Sequence, residues 1–154
     1  MPNFKAPIKT KWLKVTTTPQ TLIALSDAVQ WNAHFLPGKP RSFRCSGSPC
    51  PLCIQGSIPT ERYVLLVENS AGRAYFLELR ERHRATLMDW ARKNTRDTVA
   101  GAVFTIKKRW HHRNAPVDVE LQYIAERKEI PIAHFVNSLG ADPRQQTLSE
   151  GSER

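Results

Sequence analysis

Residues 62–94, "RYVLLVENSAGRAYFLELRERHRATLMDWARKN", change their apolar period part-way, and that change decides the fold. Arg62–Glu68 ("RYVLLVE") and Ala74–Leu79 ("AYFLEL") are rich in β-branched and aromatic residues, and "NSAGR" between them supplies the Asn, Ser and Gly of a short turn. They predict a β-hairpin. Glu81–Asn94 then places Leu87, Trp90 and Ala91 at i, i+3 and i+4 among charged residues, which predicts a helix with one apolar stripe.

Upstream, Ala28–Leu36 ("AVQWNAHFL") predicts a strand ended by Pro37-Gly38. Between Pro37 and Pro59 the Pro, Gly, Ser and Cys content predicts an inserted finger without regular structure of any length. Downstream, Val99–Trp110 and Val117–Ile124 predict two more strands joined by "HHRNAP", with Gly101 at a bend or bulge. Strand, insertion, strand, turn, strand, helix, strand, basic loop, strand is the order of a five-stranded OB barrel with one helix between strands three and four. The expectation is therefore a mainly β fold, a five-stranded OB-like barrel with a finger inserted in its first long loop. Residues 1–27 form an N-terminal arm and lead-in, and 28–124 the OB-like domain, with the insertion at 34–60. A short helix is expected within 125–139 and a disordered tail over 140–154.

A chain of 154 residues with 40% apolar composition buries roughly 68–70% of the surface its unfolded state exposes, enough for one core. Lys and Arg outnumber Asp and Glu by 23 to 14, giving a net charge of +9 and a pI near 9.9, which points to a polyanionic partner. Two clusters contain no acid: Lys5, Lys9, Lys11 and Lys14 in the arm, and Lys107, Lys108, Arg109 and Arg113 near the second predicted loop. No apolar run approaches the ~18 residues that cross a bilayer, and no secretory leader is visible, so neither membrane nor export is expected. Three cysteines, an odd number, argue for reduced thiols or metal ligands in the cytoplasm or another intracellular reducing compartment.

Cys50 and Cys53 stand in C-x2-C spacing, Cys45 precedes them, and His34 stands further upstream. Two thiolates at that spacing bind one tetrahedral ion from a single turn, and a flanking Cys and His complete the shell. The reading is one structural Zn2+ held by His34, Cys45, Cys50 and Cys53, with His83, His111, His112 and His134 as alternative fourth ligands. A zinc deaminase needs an H-x-E whose glutamate shuttles protons, and no acid lies between His34 and Cys53. A thioredoxin-like pair needs its C-x-x-C at a helix N-terminus in a βαβ unit, which this finger does not offer. A metal-dependent nuclease built on "HHRN" would want carboxylates, and Asp118 is the only one near it.

Cations that follow a backbone, interleaved with rings on which bases stack, make a sequence-tolerant single-strand binder. The candidates are Lys39, Arg41, Phe43 and Arg44 in the finger, Arg62, Tyr63 and Arg73 on the hairpin, and Lys107, Lys108, Arg109, Trp110, His111, His112 and Arg113 around the second loop. Trp110, between Arg109 and His111 at a strand end, is the best stacking residue. A histidine and three cysteines in the order H…C…C-x2-C, inserted in the first loop of a basic OB-like barrel, resemble the single-stranded DNA-binding proteins of T-even bacteriophages, the gene 32 type. The resemblance spans roughly Ala28 to Ile124. It implies a Cys3His zinc site at His34, Cys45, Cys50 and Cys53, and a protein that coats single strands in replication and recombination. It also implies that the arm Lys5–Lys14 promotes self-association along the strand. This finger is shorter than the family's, and the tail sets only Asp142, Glu150 and Glu153 against Arg144 and Arg154. RNA remains open as the variant ligand. A zinc-finger adaptor for acidic partners in a DNA-processing complex remains the alternative function.

Overall fold

The computed structural model describes residues 11–38, 42–45, 47, 50–112 and 115–132. Its elements are β1 (Lys11–Trp12), β2 (Gln20–Ala24), β3 (Val29–His34), β4 (Phe43–Arg44), α1 (Pro51–Ile54), β5 (Thr60–Asn69), β6 (Ala74–Leu79), α2 (Glu81–Lys93), β7 (Ala102–Lys108) and β8 (Val117–Ile124). The strands form one sheet in the order β1-β6-β5-β2-β7-β8, with β3 also paired to β5 and carrying β4 on its other edge. Only β1 and β6 run parallel; the other ladders are antiparallel.

The β5–β6 hairpin forms where the composition placed it, and its turn shows why. The Asn69 side chain accepts the backbone N–H groups of Ala71 (3.0 Å) and Arg73 (2.9 Å), and Gly72 takes φ +81°, open to a residue without Cβ. Val64, Leu65, Leu66 and Val67 are all buried because β5 lies between two cores. Leu65 and Val67 face Leu22, Leu77, Leu79, Leu87, Phe104 and Ile106, whereas Val64 and Leu66 face Leu25, Trp31, Phe76, Ile130 and Ile132. α2 closes over the first core with Leu87 and Ala91, and half-buried Trp90 packs at its edge.

Three features differ from the sequence expectations. Gln20–Ala24, inside the stretch read as lead-in, is the strand on which the sheet turns, pairing with β5 on one side and β7 on the other. β2 and β3 follow one another through a bend stitched by the buried Ser26, whose hydroxyl accepts from Leu66 N at 2.9 Å and donates to the Asp27 carbonyl at 3.0 Å. Second, β1 occupies the outer edge of β6. Among the described residues no ladder joins β8 back to β6, so the sheet is open and its ladders do not close a five-stranded barrel. Third, the finger holds a two-residue strand and a one-turn helix. Residues 125–132 carry no helix, and the rest of the expected C-terminal helix and the tail lie outside the described residues.

Candidate metal centre and the adjoining groove

The finger gathers its four candidate ligands from four pieces of backbone. β3 ends on His34, which is fully buried. β4 returns beside it, and Cys45 N donates to Asn32 O at 2.8 Å. Cys50 caps α1, where Pro51 at the first helical position gives up a donor that would have no partner there. One turn later comes Cys53, with Ile54 N bonded to Cys50 O at 3.0 Å. Gly56 (φ +96°) then reverses the chain, bringing the Ser57 hydroxyl to 2.9 Å from His34 Nδ1. That contact orients the ring so that Nε2 faces the cysteines, as outer partners of metal-bound histidines do.

The ligand atoms of His34, Cys45, Cys50 and Cys53 all lie within 4.8 Å of one another, the one such group among the described residues. Cys45 Sγ is 3.6 Å from Cys53 Sγ, and the sulfurs of Cys50 and Cys53 are each 3.5 Å from His34 Nε2. A tetrahedral ion bonded at about 2.3 Å to sulfur and about 2.0 Å to nitrogen has edges of about 3.8 Å and about 3.5 Å, so the cage has the size of one such ion. No disulfide joins the three cysteines, and the 3.6 Å between the sulfurs of Cys45 and Cys53 is well beyond the ~2.05 Å of a disulfide. Desolvation first, then hydrogen bonds and repulsion from Cys45 and Cys50, push the Cys53 thiol up to about 11. A bound cation reverses that balance by favouring the thiolates.

Among the described residues no other histidine joins the cluster. His83 sits in α2 with Nε2 at 3.0 Å from the Val117 carbonyl, and His111 and His112 lie exposed on the β7–β8 loop. His134 is outside the described residues. The finger's apolar core is small: Phe43, Cys50 and Leu52, with Leu36 and Cys45 against them. So few buried side chains cannot offset the ordering of the whole insertion, and a metal staple is the usual remedy in so small a unit.

Against the finger lies a groove of about 830 Å³. Phe35, Leu36 and Pro37 from the start of the finger, Leu79 and Ile106 from the sheet, and Lys108, Ala115 and Pro116 from the β7–β8 connection line it. Arg62, Arg80 and Arg82 join Lys108 as its cations; Glu78 is the acid. Phe35 is 47% exposed, and the Arg62 guanidinium lies 4.9 Å from its ring centroid while Arg62 Nε reaches Glu78 Oε1 at 3.5 Å. Burial raises the Glu78 carboxyl above the usual carboxylate range, opposed by Arg62 and Arg80. Desolvation lowers the Arg62 guanidinium, with Glu78 opposing. Burial also lowers His83, whose bond to Val117 ties α2 to β8 at the groove margin.

Of the nucleic-acid contacts expected from the sequence, Arg62 and Lys108 line this groove. Trp110, 55% exposed, stands with His111 and His112 on the neighbouring loop. Arg109 donates through Nε to both Asp118 oxygens at 3.0 and 3.1 Å and lines a smaller cavity of about 320 Å³ with Arg82 and Thr86. Five candidates are placed elsewhere, Arg44 among them. Phe43 is 1% exposed in the finger's core, so it offers no face to a base. Tyr63 donates to Glu61 at 2.6 Å and is covered by the Arg84 guanidinium at 4.8 Å, and those carboxylate contacts push its phenol up to about 12. Arg84 in turn holds the Glu81 carboxyl at about 2. Arg73 lies at the far end of the β5–β6 hairpin from Arg62, beyond the Glu68–Ala74 pair. Lys107 alternates to the face opposite Lys108.

Arg44 pairs with Ala33 on β4, outside the groove lining. Lys11 is built into β1, and Lys14 follows it with its carbonyl accepting from Gln20; both belong to the folded sheet region and not to a free arm. Lys5, Lys9, Lys39, Arg41 and Arg113 lie outside the described residues. Sequence reasoning missed Phe35, Arg80 and Arg82. Phe35 directly follows a metal ligand, and "LRERHR" is a run of alternating arginines that reads as an ordinary solvated helix start.

No family model matches this chain, and no curated protein or solved structure matches it. Its chemistry is therefore carried by its own residues. No helix among those described is long and apolar enough to cross a membrane.

Proposed function

We propose that this chain is a non-enzymatic, sequence-tolerant single-stranded DNA-binding protein whose finger is held by one structural zinc ion. The observation that carries the reading is the groove beside the finger, which Arg62, Arg80, Arg82 and Lys108 line together with the half-exposed Phe35. Three thiolates and an imidazole are a donor set suited to zinc, and four protein donors leave no open position for a reacting water. An OB-like reading of the sheet is supported by the bent β2–β3 unit, which pairs with both β5 and β7, and by α2 between β6 and β7. In such a fold the connections after strands one and four border the ligand, and here these are the finger and the loop of Trp110.

Fluorescence polarisation with labelled oligonucleotides tests this. Single strands should bind more tightly than duplex of equal length, because stacking on Phe35 needs an unpaired base. With four cations in contact, the log–log salt slope should be about −3. Equal affinity for duplex, or a flat salt response, would overturn the reading.

Stacking and charge separate by substitution. Phe35→Ala should weaken single-strand binding by ~1–3 kcal/mol, roughly fivefold to a hundredfold, with the slope nearly unchanged. Trp110→Ala should do the same if the loop closes over the strand. Since Trp110 is half in solvent, its melting temperature should stay near the wild-type value; a large drop in stability with unchanged affinity removes it from the site.

A second reading has one observation in its favour. Ile54 and Ile58 on the finger are 76% and 84% exposed, a surface that suits an adaptor docking a protein partner. Binding that ignores oligonucleotides and salt would favour it. Cleavage of a labelled strand is not expected, because Asp118 is committed to Arg109.

A further inference from the structure

Among the described residues lining the groove, Glu78 is the sole acid, set among four cations. A carboxylate there opposes attraction of phosphates, so a groove that served only the backbone would be better without it. It is also not fully used by its neighbour. Its contact with Arg62 runs through one oxygen at 3.5 Å, long for a charge-assisted bond, which prefers about 2.7–2.9 Å. A carboxylate has about four acceptor sites, and the Glu78 side chain keeps 28% of its surface accessible.

The placement of that spare capacity is specific. The Arg62 guanidinium carbon lies 4.9 Å from the Phe35 ring centroid and Arg62 Nε lies 3.5 Å from Glu78 Oε1, and all three residues line the one groove. Arg62 thus links the ring that would stack a base to the carboxylate that would read its edge. Guanine offers two adjacent donors on its Watson–Crick edge, N1–H and the N2 amino group, matching two carboxylate oxygens. Adenine and cytosine offer one amino group beside a ring acceptor, and thymine offers one N–H between two carbonyl oxygens that repel a carboxylate.

We infer that Glu78, braced by Arg62, reads the Watson–Crick edge of a guanine at Phe35, so that one nucleotide position in an otherwise tolerant groove prefers guanine. This rests on the single-strand reading above and adds a specificity-determining residue to it. The order of preference is guanine first, adenine and cytosine next, thymine last.

The test is competition between short oligothymidines that carry one substituted base, measured on the full chain. One guanine should tighten binding roughly fivefold to a hundredfold over oligothymidine alone. With 7-deazaguanine, which keeps the Watson–Crick edge, the gain should persist. Inosine, lacking the N2 amino group, should lose most of it. Glu78→Gln should abolish the ratio between guanine and thymine, and raise affinity for oligothymidine because a negative charge is gone. If oligothymidine binds and guanine binds no better, or if the preference vanishes with 7-deazaguanine, the inference fails while the single-strand reading stands. A preference that survives in folded Glu78→Gln overturns it equally. No binding to any strand overturns both readings together. Should Glu78→Gln misfold, the comparison of inosine with 7-deazaguanine on the wild-type chain still decides.

Discussion

A Cys50→Ser chain is expected to retain no metal ion and to lose the fold of its finger while the sheet persists. Cys50 is 1% exposed, sits in the finger's small core, and holds its sulfur 3.5 Å from His34 Nε2. Serine keeps the shape but not the chemistry, because its hydroxyl does not ionise near neutral pH and binds a borderline-soft ion poorly. Bound zinc in small finger units is worth ~10–16 kcal/mol of apparent folding free energy, far more than the packing of Phe43 and Leu52 can replace. Neither of the two large cores uses Phe43, Cys50 or Leu52, so the loss stays local. Elemental analysis should find one ion per wild-type chain and none in the variant. Amide exchange should show protection lost from 43–57 and kept in β5, β6 and β7. Since Phe35, Leu36 and Pro37 wall the groove, single-strand affinity should fall with the metal. Stoichiometric, tightly held metal in Cys50→Ser would refute the ligand assignment.

Gly101→Ala is expected to destabilise the protein more than any other single-methyl addition at a described glycine. Gly101 takes φ +92°, and an added Cβ would meet the Ala125 carbonyl oxygen at 2.6 Å and the Arg96 guanidinium at 3.3 Å. Gly38, Gly47, Gly56 and Gly72 also have positive φ but face open space. The φ alone costs an L-residue ~1–3 kcal/mol. The clash is with backbone, so relief requires moving the end of β8. That would break the bonds Gly101 N to Ala24 O and Ala125 N to Gly101 O, both 2.7 Å. A total of ~3–5 kcal/mol is expected, seen as a fall in melting temperature of roughly 6–20 degrees for a domain of this size. A melting temperature within a few degrees of wild type would mean that the β2–β7–β8 junction is looser than these distances state.

Local signals in the sequence were sufficient for elements whose partners are near in the chain. The β5–β6 hairpin is specified by two β-rich runs and by Asn69 and Gly72 at its turn, and α2 by the spacing of Leu87 and Ala91. The metal cage was legible because C-x2-C geometry is set within one helical turn, and only His34 needed a distant strand to bring it in. The position of Gly101 was legible too, since a glycine opening a β-rich run marks a strained backbone.

Elements fixed by distant partners were not legible. Gln20–Ala24 is a short run like many others, and it becomes the middle of the sheet only because Leu22 meets Asn69 on one side and Phe104 on the other. The choice between Phe35 and Phe43 was equally non-local. Both stand near cations in sequence, but pairing of His34 with Phe43 turns Phe43 into the finger's core and leaves Phe35 facing the groove. Net charge is a property of composition, whereas the charge a ligand meets is not. Arg109 is bound by Asp118 on the facing strand, and Arg84 by Glu81. Arg80 and Arg82, unremarkable in sequence, are carried to the groove by the start of α2. The sequence by itself determined the hairpin, the helix, the ligand set and the sign of the charge, because each depends on spacing within a few residues. Tertiary structure alone decided the central strand, the open edge, and which rings and cations face the groove, because each depends on pairing register between segments far apart in the chain.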